Sequence, residues 1–324
     1  MGDSFIYANG RISGEETTLL DRRMWQMLMS SVDLEEATRL LGDTWYGGFM
    51  QYHSMEDCLN KAMETTEDEL LELSEDKRLV RGILHRRDVR NARYIWKKLL
   101  SGEGSEEEIE VERPGLIDTE ILKKSVNSDE ARDELPPLFS RTIEELLENP
   151  GAGEAEVDRK MDHLAAAVES DELIDINHGF RTFVMTNLEQ KNFLTAGRCI
   201  IDDVPRQLLR KMLLPGGYHT EDEIEEAYQR NTLPLLIAET PGFEQIGAAF
   251  EKALEDGSFF GFERECDRKL LELLEKGAFP VFGPSPLAAF VIRREMEINH
   301  LRLLLAAKSA GVSEDRLSKR LPRE

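Results

Sequence analysis

Along most of the chain apolar residues recur at three- and four-residue steps, the spacing that places them on one face of an α-helix. One stripe runs from Leu287 through Phe290, Val291, Ile298, Leu301, Leu304 and Leu305, which predicts a helix with a buried face. Another runs through Leu79, Val80, Ile83, Leu84, Ile95 and Leu99. Strand-like alternation of β-branched residues is hard to find, and the helix formers Glu, Leu, Ala, Lys, Arg and Met dominate the long segments. An all-α fold is expected. Pro and Gly punctuate it at Trp45-Tyr46-Gly47-Gly48, Pro114-Gly115, Pro150-Gly151, Pro215-Gly216-Gly217, Pro241-Gly242 and Gly283-Pro284-Ser285-Pro286. The acidic stretch Ser101 to Glu112 reads as an exposed linker with too little apolar surface to hold itself in place.

Comparing the chain with itself reveals a longer period. One predicted helix carries Asp88-Val89-Arg90-Asn91, a second Glu189-Gln190-Lys191-Asn192 and a third Glu297-Ile298-Asn299-His300. The acids are 189 − 88 = 101 and 297 − 189 = 108 residues apart. The turns Pro114-Gly115 and Pro215-Gly216 share the offset, 215 − 114 = 101. A third landmark lies upstream in each stretch, at Leu41 to Gly47, Leu147 to Gly151 and Ala238 to Gly242. In the last stretch the place equivalent to the Pro-Gly turn falls at Leu321-Pro322. The expected organisation is three tandem helical units, 1–115, 116–217 and 218–324.

Charge narrows the partners. The 324 residues include 41 Lys+Arg and 64 Asp+Glu, a formal net charge of −23, which excludes the basic face that phosphate recognition needs. Apolar residues at 40% and charged residues at 32% suit a soluble, core-forming chain. Three widely spaced cysteines, Cys58, Cys199 and Cys266, suggest neither a disulfide framework nor a metal knuckle, and a reducing cytoplasm is the expected home. The start of the chain lacks a signal-peptide pattern, and no apolar run approaches the ~20 residues that span a bilayer, so direct insertion is not expected.

Candidate chemistry centres on the repeated motif. In each unit an acid precedes Asn or His by three residues, which places both side chains on one helix face. Asp88 with Asn91, Glu189 with Asn192 and Glu297 with His300 are therefore expected to be semi-buried hydrogen-bonded pairs that fix helix packing. Glu297-x-x-His300 alone has di-iron spacing, but such sites need a second Glu-x-x-His helix and this chain has none. Walker, dinucleotide, G-x-S-x-G and H-E-x-x-H signatures are all lacking. The six histidines are scattered. No catalytic, cofactor-binding or metal-binding residue is assigned. Trp45, Tyr46 and Phe49 beside Gly47-Gly48 are expected to anchor a tight turn.

At these residues the sequence resembles the C subunit of the archaeal and bacterial V/A-type rotary ATPases, a family that includes the d subunit of eukaryotic vacuolar ATPases. The resemblance rests on Leu41 to Gly48, Arg87 to Gly102, Leu213 to Gly217 and, most diagnostically, Ala288 to Gly311. The second unit departs from it, with Asp203 in place of the helix-ending Gly and no Tyr at Pro150-Gly151. The resemblance implies a non-catalytic central-stalk subunit, a pseudo-threefold helical funnel on the membrane rotor ring of c/K-type subunits that receives the D- and F-type shaft subunits. It implies no cofactor, and a cytoplasmic place held at the membrane through the complex. The turns around Trp45, Tyr46 and Phe49, Pro150, and Pro241 and Phe243 occupy the same place in each unit and would form one end of the funnel. The alternative reading is a cytosolic helical scaffold that binds other proteins through a concave surface.

Overall fold

The computed structural model describes residues 4–52, 54–101, 108–111, 113–149, 151, 153–275 and 283–321, and among them there is no strand. The fold is all-α, as the periodicity predicts. In chain order the α-helices are α1 (Ser4–Glu15), α2 (Arg22–Ser30), α3 (Leu34–Gly42), α4 (Met55–Leu73) and α5 (Lys77–Ser101). They continue with α6 (Thr119–Lys124), α7 (Asp129–Asp133), α8 (Pro137–Leu147), α9 (Glu154–Leu173), α10 (His178–Ile201) and α11 (Arg206–Met212). The last are α12 (Glu221–Arg230), α13 (Leu233–Glu239), α14 (Glu244–Asp256), α15 (Phe260–Glu275), α16 (Ser285–Ser309) and α17 (Glu314–Arg320). Short helices thus lead three times into two successive long ones, α4 then α5, α9 then α10, and α15 then α16. The expected boundaries at 115/116 and 217/218 fall in the non-helical turns before α6 and α12.

Local chemistry sets the helix starts. Asp21 accepts the Met24 N–H at 2.7 Å, Asp33 that of Glu36 at 2.9 Å, Ser54 that of Asp57 at 3.0 Å and Asp118 that of Glu120 at 2.8 Å. Each satisfies a donor that the first helical turn leaves open.

The chain packs as two compact units, each assembled from separated stretches. The first comprises Met1–Asp76, Gly197–Asp203 and Ala227–Glu324. Its centre is α16, where the predicted stripe of Leu287, Phe290, Val291, Ile298, Leu301, Leu304 and Leu305 is buried. Leu28, Leu40, Leu41, Leu59 and Ala62 from α2, α3 and α4 close around the last four of these. The second unit comprises Lys77–Ala196 and Val204–Glu226, and its α5 lies along α9, with α8 packed on α9. Val89, Ala92, Ile95 and Trp96 of α5 meet Val157, Met161, Leu164 and Val168 of α9 in its core.

The stretch Ser101 to Glu112 departs from the linker expectation at one residue. Residues 102–107 and 112 lie outside the described residues, but Ile109 is 3% exposed and belongs to the second unit's core. Charge density around Ile109 hides this anchor, because one apolar side chain suffices to tie a polar segment down.

Leu301 tests the first core. It is fully buried, so Leu301→Ala is expected to lower unfolding free energy by about 2–5 kcal/mol, read by urea denaturation. A loss within error of zero would mean that α16 is not a core helix.

Candidate functional site

The three repeated acids lie on α5, α10 and α16, and all are buried: Asp88 at 3%, Glu189 at 0% and Glu297 at 7% exposure. A carboxylate that deep must find donors, because leaving it unpaired is costly. None of the three bonds to the Asn or His three residues on. Each reaches instead for the backbone of a turn.

Asp88 Oδ1 accepts the Ile117 N–H at 2.9 Å, while Asn91 Nδ2 donates to the Arg113 carbonyl at 2.9 Å. Glu189 Oε2 accepts the Tyr218 N–H at 2.8 Å, while Asn192 Nδ2 donates to the Leu214 carbonyl at 2.8 Å and its Oδ1 accepts the Leu214 N–H at 2.7 Å. The acid grips its turn 29 residues along the chain and the amide grips it 22 residues along, in both cases. Acid and amide therefore act as two fingers on one strap rather than as the expected pair. The repeated Pro-Gly turns supply the room: a Cβ on Gly115 would overlap the Asp88 carboxylate, and one on Gly217 the Glu189 carboxylate.

The third acid makes the same kind of contact with a distant segment. Glu297 Oε2 accepts the Leu20 N–H at 2.6 Å, so this strap comes from the N-terminal part of the chain; of the expected Leu321-Pro322 turn, Pro322 lies outside the described residues. Tyr46 Oη donates to Glu297 Oε1 at 2.7 Å, and Arg294 Nη1 donates to the same oxygen at 2.6 Å. The Arg294 guanidinium lies 4.1 Å from the Trp45 ring centroid and also donates to the Thr18 carbonyl and hydroxyl. Burial pushes the Glu297 carboxyl up against the lowering effect of Arg294, and burial with the neighbouring Glu297 charge pushes the Tyr46 phenol well up. His300 faces elsewhere, its Nε2 3.1 Å from Asp267 Oδ2 on α15, which Arg320 also engages at 2.7 Å. Glu297 and His300 thus serve separate networks.

Of the aromatic turn residues, Tyr46 and Phe243 are buried within the chain, Trp45 and Phe49 are half-buried and Pro241 is exposed. Burial takes the Tyr46 and Phe243 side chains out of any exposed contact surface. Pro150 lies outside the described residues. Arg294 escaped the sequence reading, although its spacing of three residues from Glu297 on one helix face was a usable signal. Asp267 had no such signal, because only tertiary packing brings it to His300.

Residues 8–320 match the ATP synthase (C/AC39) subunit family. The chain belongs to this family. It is 22% identical over 338 residues to the A-type ATP synthase C subunit of Methanocaldococcus jannaschii, covering 97% of this chain and 85% of that protein. The corresponding C subunit of Haloquadratum walsbyi is 22% identical over 356 residues, covering 98% of this chain and 97% of the relative. That of Desulfurococcus sp. is 23% identical over 334 residues, covering 97% and 89%. The family match spans the clasps on Asp88, Glu189 and Glu297 alike.

The buried charges make two predictions. Glu297→Ala leaves Arg294 buried without its counter-ion and is expected to reduce stability by about 3–5 kcal/mol, whereas Glu297→Ala with Arg294→Met recovers most of the loss. Chemical denaturation of the single and double variants decides it, and additive losses would show that the two side chains do not act together.

The second concerns α5. Burial pushes Asp88 up to about 6 from the ordinary 3.8, and burial pushes His85 down to about 4 from 6.5. The raised Asp88 contributes stability that is full below about pH 3.8 and lost as pH rises through about 6. The depressed His85 contributes stability that is present above about pH 6.5 and lost as pH falls through about 4. The two slopes oppose one another, each worth on the order of 3 kcal/mol at full extent. Asp88→Asn is therefore expected to steepen the fall in Tm between about pH 6.5 and 4, and His85→Gln to flatten it. Identical slopes in all three proteins would refute the opposition.

Proposed function

We propose that this protein is the non-catalytic central-stalk subunit of a V/A-type rotary ATPase, joining the membrane rotor ring of c/K-type subunits to the D- and F-type shaft subunits. ATP hydrolysis and ion transport then belong to other subunits. The observation that carries the proposal is the recurrence of one backbone clasp, at Asp88 and again at Glu189, 101 residues on, within a chain matched over residues 8–320 by an ATP synthase subunit family. A repeated, internally braced helical unit suits a part that passes torque between partners. The three tandem units 1–115, 116–217 and 218–324, arranged as a funnel, belong to the same proposal.

In this reading Asp88, Asn91, Glu189, Asn192, Glu297 and His300 are internal supports. The surface near Pro241, with the exposed parts of Trp45 and Phe49, is the part of the aromatic and Pro-Gly turns left to meet partners. The charge of −23 favours a basic shaft end, since opposite fields speed docking and weaken with salt. No helix among the described residues is long and apolar enough to cross a membrane, in keeping with attachment through the ring.

Co-expression with the ring and shaft subunits tests the assignment. The chain is expected to co-purify with both, and its affinity for isolated shaft subunits to fall about tenfold or more as salt rises from roughly 0.05 to 0.5 M. A folded, monodisperse chain that binds neither partner would overturn the proposal.

A further inference from the structure

The charge of −23 is a sum over the chain, and it conceals one helix of the opposite sign. Among its 25 residues α5 carries nine Lys and Arg and a single acid, Asp88. Its neighbour α9 neutralises one flank of this helix. Arg81 holds Glu172, Arg86 lies 3.5 Å from Glu169, Arg93 holds Asp162, and Lys97 holds Asp158 at 2.7 Å. Those cations are committed to the packing of α5 on α9.

A second stripe has no such ladder. Arg87, Arg90, Tyr94 and Lys98 follow at steps of three, four and four residues, which aligns them along the later half of α5. Arg87 donates to the Pro114 carbonyl at 3.1 Å, a bond to a neutral group that leaves its charge in place. Arg90 is exposed and, among the described residues, takes part in no hydrogen bond or ion pair. Tyr94 is 42% exposed and likewise takes part in no hydrogen bond or ring contact among the described residues. Arg and Tyr are the side chains that protein interfaces concentrate at their centres, because a planar fork or a ring gives directed contact with few torsions to freeze.

The sign of the stripe selects its occupant. Guanidinium groups take carboxylates through paired N–H bonds, and a tyrosine ring covers an apolar side chain while its hydroxyl stays free to bond. An extended polyanion, such as an anionic membrane, would also come within roughly 8 Å of acids elsewhere on a chain that is more acidic still once α5 is set aside, and would be repelled by them. An acidic protein segment is narrow enough to cover the stripe alone, which from Arg87 to Lys98 runs about 16 Å.

We infer that the stripe of Arg87, Arg90, Tyr94 and Lys98 docks an acidic segment of another protein, its carboxylates paired with Arg87 and Arg90 and an apolar side chain laid on Tyr94. This face is opposite in sign to the one that a basic shaft end would meet, and the inference does not rest on the rotary assignment.

Fluorescence anisotropy of the full chain with a labelled helical peptide of roughly twelve residues, glutamates around one central phenylalanine, tests the inference against the same peptide with glutamine for glutamate. The acidic peptide is expected to bind saturably and at least about tenfold more tightly than the glutamine one, with the advantage shrinking as salt rises. Arg90→Glu alters an exposed residue without partners, so Tm is expected to hold while affinity for the acidic peptide falls about tenfold or more. Lys252→Glu, at an exposed residue of α14 in the first unit, changes the net charge equally and is expected to leave binding within about twofold. Equal affinity for the two peptides, or equal losses in Arg90→Glu and Lys252→Glu, would overturn the inference. So would tighter, Arg90-dependent binding to phosphatidylserine vesicles, which would make the occupant a membrane, or an Arg90-dependent dimer in sedimentation, which would make it a second copy of this chain.

Discussion

A carboxylate buried in the middle of a long helix cannot use that helix's own N–H groups, which are committed to its internal bonds. It must bring donors in from elsewhere, and for Asp88, Glu189 and Glu297 those donors include the backbones of distant turns. Asp88, Glu189 and Glu297 thereby fix where the chain runs after leaving α5 and α10, and where the N-terminal segment lies against α16. Apolar packing makes the helices adhere, but it is non-directional and would tolerate several paths for those turns. The buried charge is what discriminates among them, since any other path strands an ion without partners.

The third clasp is the most heavily supported and the most exposed to failure. Its carboxylate is shared between Arg294, Tyr46 and Leu20, and Arg294 is in turn stacked on Trp45 and bonded to Thr18. Here the strap is separated from its acid by most of the chain, so closing it carries a larger loop entropy than the local straps on Asp88 and Glu189. Additional bonds at this clasp offset that penalty.

Much of this was legible in the residues. The stripes on α5 and α16 announced helices with buried faces, and the 101-residue offset between Asp88 and Glu189, shared by the Pro-Gly turns, marked acid and turn as linked features. What the offset could not reveal was that the acid grips the turn. Helical spacing put Asp88 beside Asn91, and proximity on one face suggested a bond between them. Both side chains point past each other because backbone donors and acceptors, brought in by the strap, are better placed than a neighbour on the same helix. Ile109 was hidden for a related reason, a single apolar residue within a run of acids.

Sequence alone determined the helical class, the repeated acid motif and the family, since these depend on periodicity, spacing and order along the chain. Only the tertiary structure decided the partners: that Leu20 serves Glu297, that Arg294 neutralises it and that Asp267 meets His300. Contacts of that kind join residues tens to hundreds of positions apart, and the free energy that selects them is the desolvation of buried polar groups, which no local pattern records.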